Sequence, residues 1–221
     1  GKTRTFEQAE CAFFLHNIAE IENASFGLQP NDFTAVNPNT GTAPIFRTKR
    51  DADLTTDIYA RIPVLFEHRQ NSPQSVWPVK YFTMFHMTND SDKFHATVNM
   101  EKEGCYKVAD NKWKKGSQDF VPLYEGKMVQ AYDHRAASVD VDPTRLHRPG
   151  QPVTTTLAQH TDKNWMPDPQ YWVNNDNVTL SSDLKYVVAY KEITASTNVR
   201  TMIATIIPRY AYNNKLRGCP R

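Results

Sequence analysis

The hydrophobic period of this chain changes from helical to strand-like along its length, and that order restricts the fold more than any other feature. Over residues 6–22 no Gly or Pro intervenes, and Ala9, Phe13 and Ile18 define an apolar face, so a helix is expected. Ala12, Phe13, Phe14 and Leu15 make its centre apolar almost all round, which predicts that it is well buried. A second helix is expected over residues 49–62. There Leu54, Ile58 and Ile62 recur every four residues, Asp51 and Asp53 stand in the first turn where the helix dipole favours acids, and Pro63 ends the run. Pro30-Asn31-Asp32 and Asn37-Pro38-Asn39-Thr40-Gly41 read as turns. Later segments alternate at the period of a strand: residues 79–85, 120–124, 186–193 and 200–207, the last two as an antiparallel pair. Residues 97–103 read as a short helix ended by Gly104, residues 105–113 onward as a hairpin, and residues 128–132 as one helical turn or a further strand. Residues 142–169 read as an irregular excursion. Helices first and strands afterwards give an α+β fold. The expected division is a helical connector over residues 1–66 and a mostly antiparallel β-rich domain over residues 67–221, unless the two form one continuous domain.

Composition removes several classes of function. With 221 residues, 39% hydrophobic and 11% aromatic, the chain can build a core and is not of a disordered type. No stretch approaches the ~18 consecutive apolar residues of a membrane span, so no membrane partner is expected. The start lacks a signal-peptide pattern, and Gly1 and the ending Arg217-Gly218-Cys219-Pro220-Arg221 read as cut edges of a longer chain. Cys11, Cys105 and Cys219 are an odd set with no close pair, which fits free thiols and a cytoplasmic location. They make no zinc motif with the histidines, so no metal ligands are expected. The formal charge of +2, from 26 basic and 24 acidic residues, means that any DNA-binding face must come from local clustering. Dinucleotide and phosphate-loop glycine signatures and a nucleophile elbow are missing from the sequence, and no catalytic residue is expected.

Some constellations still point to chemistry. Glu125-Gly126-Lys127 spells the end of a metal-dependent nuclease motif, in which carboxylates hold Mg²⁺ and a Lys polarises the attacked group. Asp110 or Asp119 would have to complete it. Asp133-His134-Arg135 suits a hydrogen-bonded strand end with Arg reaching a phosphate better than a catalytic pair. Basic groups cluster at Arg47, Lys49 and Arg50 beside a helix N-terminus, at Lys112, Lys114 and Lys115 around Trp113, and at Arg145, His147 and Arg148. The first set could clamp a phosphate together with backbone N–H groups, whereas Lys112 to Lys115 look like an exposed hairpin tip. The polar loop His86, Asn89, Asp90 and Ser91 could read base edges or simply turn the chain. One of Trp77, Trp113, Trp165 and Trp172 could stack on a base, although packing accounts for each as well.

In combination several blocks resemble large N6-adenine DNA methyltransferases of restriction–modification systems. They are Asn37-Pro38-Asn39-Thr40 followed by residues 44–52, residues 82–91, residues 122–129, Tyr132-Asp133-His134-Arg135, and residues 200–209. Catalytic domains of that family carry an S-adenosylmethionine pocket and an Asn-Pro-Pro-aromatic motif that receives the flipped adenine. Asn37-Pro38-Asn39 departs from that motif at its third position and no aromatic follows. The blocks resemble instead the region downstream, where the target is recognised. The resemblance therefore implies double-stranded DNA and the methyltransferase domain of the same chain as partners. It implies S-adenosylmethionine as the parent protein's cofactor and none in this segment. By that likeness Lys127 and Arg200 are expected DNA contacts; the basic groups read above add Arg47, Lys49, Arg50, His134 and Arg135, with bases read from the loop carrying His86 and Asn89. The rival expectations are a Mg²⁺-dependent nuclease using Glu125 and Lys127, and a structural interaction module of the same large protein.

Overall fold

The computed structural model describes residues 5–69, 72–75, 82–108, 111–142, 144, 148–195 and 197–219. The fold is α+β, in two compact units, residues 1–78 and 79–221. Among the described residues no helix is long and apolar enough to cross a membrane.

The first unit contains β1 (Ala9–Cys11), α1 (Ile21–Ala24), β2 (Phe26–Leu28), α2 (Pro30–Val36), α3 (Lys49–Arg61), β3 (Phe66–Arg69) and β4 (Ser72–Ser75). The expected helix over residues 6–22 does not form as one element: a 3₁₀ turn (Ile18–Glu20) and the start of α1 are its helical parts. β1 pairs antiparallel with β2 in its place, and Phe14 takes a left-handed backbone (φ +58°). The reason is tertiary: Cys11 and Phe13 pack on the cluster of Phe26, Leu28, Phe46 and Ala52, while Phe14 and Ile18 are exposed. That alternation belongs to an extended chain, not to a buried helix. The second helix forms as expected. Thr48 Oγ1 accepts the Asp51 N–H at 3.1 Å and the Asp51 carboxylate accepts the Thr48 N–H at 3.2 Å, a reciprocal cap. Ile62 is extended ahead of Pro63. Its apolar stripe is not the core face, however: Leu54, Ile58 and Ile62 are exposed and Ala52 is buried instead.

The second unit is built on a sheet in the order β5 (His95–Ala96), β11 (Tyr171–Asn174), β8 (Gln118–Tyr124), β7 (Lys112–Lys115), β6 (Tyr106–Val108), with β14 (Ala211–Tyr212) parallel to the end of β8. Gly116 supplies φ +59° in the two-residue β7–β8 loop, as primed hairpin turns require. A second sheet has the order β13 (Ala204–Pro208), β12 (Tyr186–Lys191), β15 (Leu216–Cys219), and β9 (Ala137–Asp140) pairs with β10 (Gln151–Thr154). β11 is buried on both faces. Trp172 joins Met100, Cys105, Trp113 and Phe120, whereas Val173 joins the larger core of Val121, Leu123, Tyr124, Val187, Ala189, Ile207 and Leu216.

The β6–β7 hairpin and β8 lie where alternation places them, and β12 pairs antiparallel with β13, Val188 standing opposite Ile206, although β13 begins only at Ala204 and residues 200–203 of the expected strand lie outside it. Residues 97–103 hold only a 3₁₀ turn (Thr97–Asn99), closed at Gly104 with φ +83°. Met128 ends another 3₁₀ turn (Gly126–Met128), so residues 128–132 continue as neither an α-helical turn nor a strand. In the strand expected over residues 79–85, residues 79–81 lie outside the described residues, and Phe82 and Phe85 make isolated bridges to Gly218 and Asn213. Residues 142–169, expected to be irregular, include β10 and α4 (Leu157–Thr161).

Candidate nucleic-acid interface

At the end of β8 the core gives way to a cavity of about 320 Å³ lined by Glu125, Gly126, Lys127, Lys191, Ile193, Asn213 and Lys215. Each wall has a local cause. Residues 187 and 189 of β12 point into the core. Strand alternation gives Lys191 the same phase, but there the strand has run out of core to bury against. Gly126 lies under the turn that leads into β15: a Cβ would stand 3.1 Å from the Lys215 carbonyl oxygen. A larger side chain would push that turn away. Asn213, 1% exposed, fixes the turn by accepting the Lys215 N–H at 3.0 Å and donating its own N–H to the Tyr124 carbonyl at 3.0 Å.

The electrostatics of the cavity are unbalanced. Lys127 Nζ lies 3.1 Å from Glu125 Oε2 and donates to the Gly150 carbonyl at 2.9 Å. Lys215 lies 3.9 Å from Glu192, a loose pair. Lys191 has no acid partner among the described residues, and burial holds its ammonium below the usual lysine range. Glu125 is 5% exposed, and its Oε1 has no hydrogen-bond partner among the described residues. Three lysines and one carboxylate thus line one opening, with Glu192 outside the lining beside Lys215. An anion entering it would replace hydration that Lys191 has partly lost through burial.

Burial raises the Glu125 carboxyl above the ordinary carboxylate range, and Lys127 opposes this without cancelling it. A carboxyl whose folded pKa is raised contributes stability that is complete below the unfolded pKa and is lost as pH rises through the folded one. The Glu125→Gln protein cannot ionise there. Its Tm is therefore expected to gain on that of the unmutated protein as pH is raised from the acid side of the carboxylate range towards neutrality. Thermal melts of both proteins across that range check this, and a Tm difference independent of pH would count against Glu125 as the titrating group.

The other sequence candidates fall into several places. Arg47, Lys49 and Arg50 belong to the first unit. Arg47 lies over the Phe14 ring, 4.8 Å from its centroid. Lys49 holds both Asp53 carboxylate oxygens at 2.9 Å, an exposed i,i+4 pair worth only a few tenths of a kcal/mol. In the second unit, His86 and Asn89 are on an exposed loop. His86 Nδ1 accepts the N–H groups of Thr88 and Asn89 at 3.3 and 3.4 Å, so the imidazole organises the loop. His134 is half-buried, and burial, reinforced by Arg135, holds its pKa below the usual histidine value. The Arg135 guanidinium donates to the carbonyls of His160, Asp162 and Trp165 at 2.8–3.0 Å. It is engaged in holding the end of α4 and the segment after it, which leaves it little to offer a phosphate. Arg200 is exposed and lies over the Tyr132 ring at 5.6 Å. Of the expected DNA contacts among the described residues, Lys127 alone lines the cavity. Lys191 and Lys215 were missed, although a Lys closing the alternating run Tyr186-Val187-Val188-Ala189-Tyr190-Lys191 was a readable signal.

Glu125 and Lys127 do share the cavity, as a nuclease would need. Asp119 is not with them, however: it pairs with Lys114 on β7 at 3.3 Å. Asp110 lies outside the described residues. Among the described residues no group of three His, Cys, Asp or Glu side chains is placed to hold a metal ion. Trp113 and Trp172 are core residues, Trp165 is half-buried and Trp77 lies outside the described residues. Of the third basic cluster, Arg145 and His147 lie outside the described residues and Arg148 is exposed. No protein-family model, curated protein or solved structure matches the chain.

Proposed function

We propose that this chain is a DNA-holding segment of an N6-adenine methyltransferase from a restriction–modification system, gripping duplex DNA while methyl transfer from S-adenosylmethionine takes place in a separate domain of the longer, cytoplasmic protein. The observation that carries the reading is the cavity at the end of β8, where Lys127, Lys191 and Lys215 outnumber Glu125 and Lys191 has no acid partner among the described residues. Phosphodiester oxygens are the anions best matched to three flexible ammonium groups on a surface opening. The sequence blocks quoted above favour DNA over other polyanions, and the free thiols of Cys11, Cys105 and Cys219 fit the cytoplasm. Base reading falls to the exposed loop of His86 and Asn89.

Binding of this kind weakens steeply with salt, because each neutralised phosphate releases counterions. Three lysine–phosphate contacts predict a slope of about −3 in log K against log salt concentration. Fluorescence anisotropy of a labelled duplex pool, titrated at several salt concentrations, measures it. No salt-dependent binding to any duplex would remove this function.

A further inference from the structure

The turn that follows Met128 contains a residue that folding alone does not explain. Gln130 and Asp133 exchange backbone hydrogen bonds of 2.8 and 3.0 Å, and Tyr132 occupies the third position of that turn at φ +65°. Turns of this shape favour Gly or Asn there, because a Cβ is strained at positive φ. Tyr132 accepts that strain and returns nothing to the core: it is 82% exposed. The backbone is pinned all the same, since the Tyr132 N–H donates to the Ala204 carbonyl at 2.8 Å. The Arg200 guanidinium lies over the ring. Ala204 is the partner of Tyr190 in the β12–β13 ladder, and Lys191 is the next residue of β12. The raised ring and the lysine cavity therefore share one end of that sheet.

We propose that Tyr132, with Arg200 beside it, is a stacking platform for a nucleobase unstacked from its neighbour in the bound DNA. This rests on the DNA-holding reading above. With the guanidinium over one face of the ring, the other π-face is left for a base, and the arginine offers the phosphate a counter-charge. Holding the ring at a fixed angle before DNA arrives removes most of the ordering that a flexible side chain would need on binding.

Three proteins test this: the unmutated chain, Tyr132→Gly and Tyr132→Phe, each titrated into duplexes with 2-aminopurine at successive positions. Gly suits the turn, so its Tm should be equal or higher. Its DNA affinity should fall about tenfold, the effect of one lost base–aromatic stack. Tyr132→Phe should retain the affinity, and the unmutated protein should change 2-aminopurine fluorescence at one position where Tyr132→Gly does not. Undiminished binding by Tyr132→Gly overturns the platform alone. Weakened binding with no fluorescence change at any position in the unmutated protein overturns base stacking. No DNA binding by the unmutated chain overturns the DNA reading, and the platform with it.

Discussion

Replacing Lys191 and Lys215 together with alanine is expected to weaken duplex binding by about 10- to 100-fold at moderate salt and to make the salt dependence shallower by about two units of slope. These two lysines are chosen because removing them disturbs the fold least. Lys127 is bonded to Glu125 and to the Gly150 carbonyl, so its loss would leave a buried carboxylate without its cation and confuse binding with stability. Lys191 has no acid partner among the described residues and Lys215 only the loose one at Glu192. Their removal subtracts charge from the cavity and relieves the desolvation of Lys191, so Tm should hold or rise slightly. The matching control is Lys112→Ala with Lys115→Ala on β7, which removes the same charge from residues that do not line this cavity. If both double variants lose affinity equally, only the overall charge matters and the cavity is not a seat for phosphate.

The fold was legible in the sequence wherever a single element carried its own signal. Residues 49–62 held acids in the first turn and a terminating proline, and the helix formed there. Residues 186–191 alternated, and the strand formed. The reading failed where a distant partner decided the outcome. Over residues 6–22 helical spacing competed with pairing to Phe26–Leu28, and the aromatic cluster of Phe26 and Phe46, invisible in a local window, favoured the extended form. β15 was missed for another reason. Gly218 looks like a turn residue, but it is there because a Cβ would collide with the Tyr212 hydroxyl. Its glycine serves close approach within a sheet, not reversal of the chain.

The candidate site was legible at Glu125 and Lys127 but not at Lys191 or Lys215, and the reason is geometric. Lys191, Lys215 and Lys127 are separated in sequence and meet because β12, the turn before β15 and the end of β8 converge. A search for basic clusters finds neighbours along the chain, and those neighbours went elsewhere. Lys114 pairs with Asp119, Lys49 pairs with Asp53, and Arg135 holds three carbonyls. Local density of cations marks where charge is needed for surface pairs and loop support as often as where a polyanion sits. An inward-phase lysine at a strand end is rarer and more informative, since burial without an acid partner is costly unless something else supplies the counter-charge.

Trp172→Ala is expected to lower the stability of the second unit by about 3–5 kcal/mol, a large part of the roughly 5–15 kcal/mol available to a typical domain. Trp172 is 0% exposed, meets Trp113 edge to face at 6.1 Å between centroids, and donates from Nε1 to Thr97 Oγ1 at 2.8 Å. Thr97 Oγ1 in turn donates to the Pro169 carbonyl at 2.6 Å. Truncation therefore loses packing and one hydrogen bond without leaving the hydroxyl unpaired, and the cavity contribution dominates. Trp172→Phe keeps a ring in place and should lose only about 1–2 kcal/mol. Urea denaturation of the three proteins gives both differences. Thiol labelling provides an independent readout, because Cys105 sits in the same cluster, buried, with its thiol pKa raised by burial. It should be protected in the unmutated protein and react readily in Trp172→Ala. Trp172 stands opposite Pro122 in β8, the strand that runs on into Glu125 and the lysine cavity. The same variant should therefore also weaken DNA binding, while Trp172→Phe binds nearly as the unmutated chain does. A loss of less than about 1 kcal/mol for Trp172→Ala, below the range for a large buried side chain, would mean that this strand is not clamped between two cores, and the geometry of the cavity at its end would lose its support.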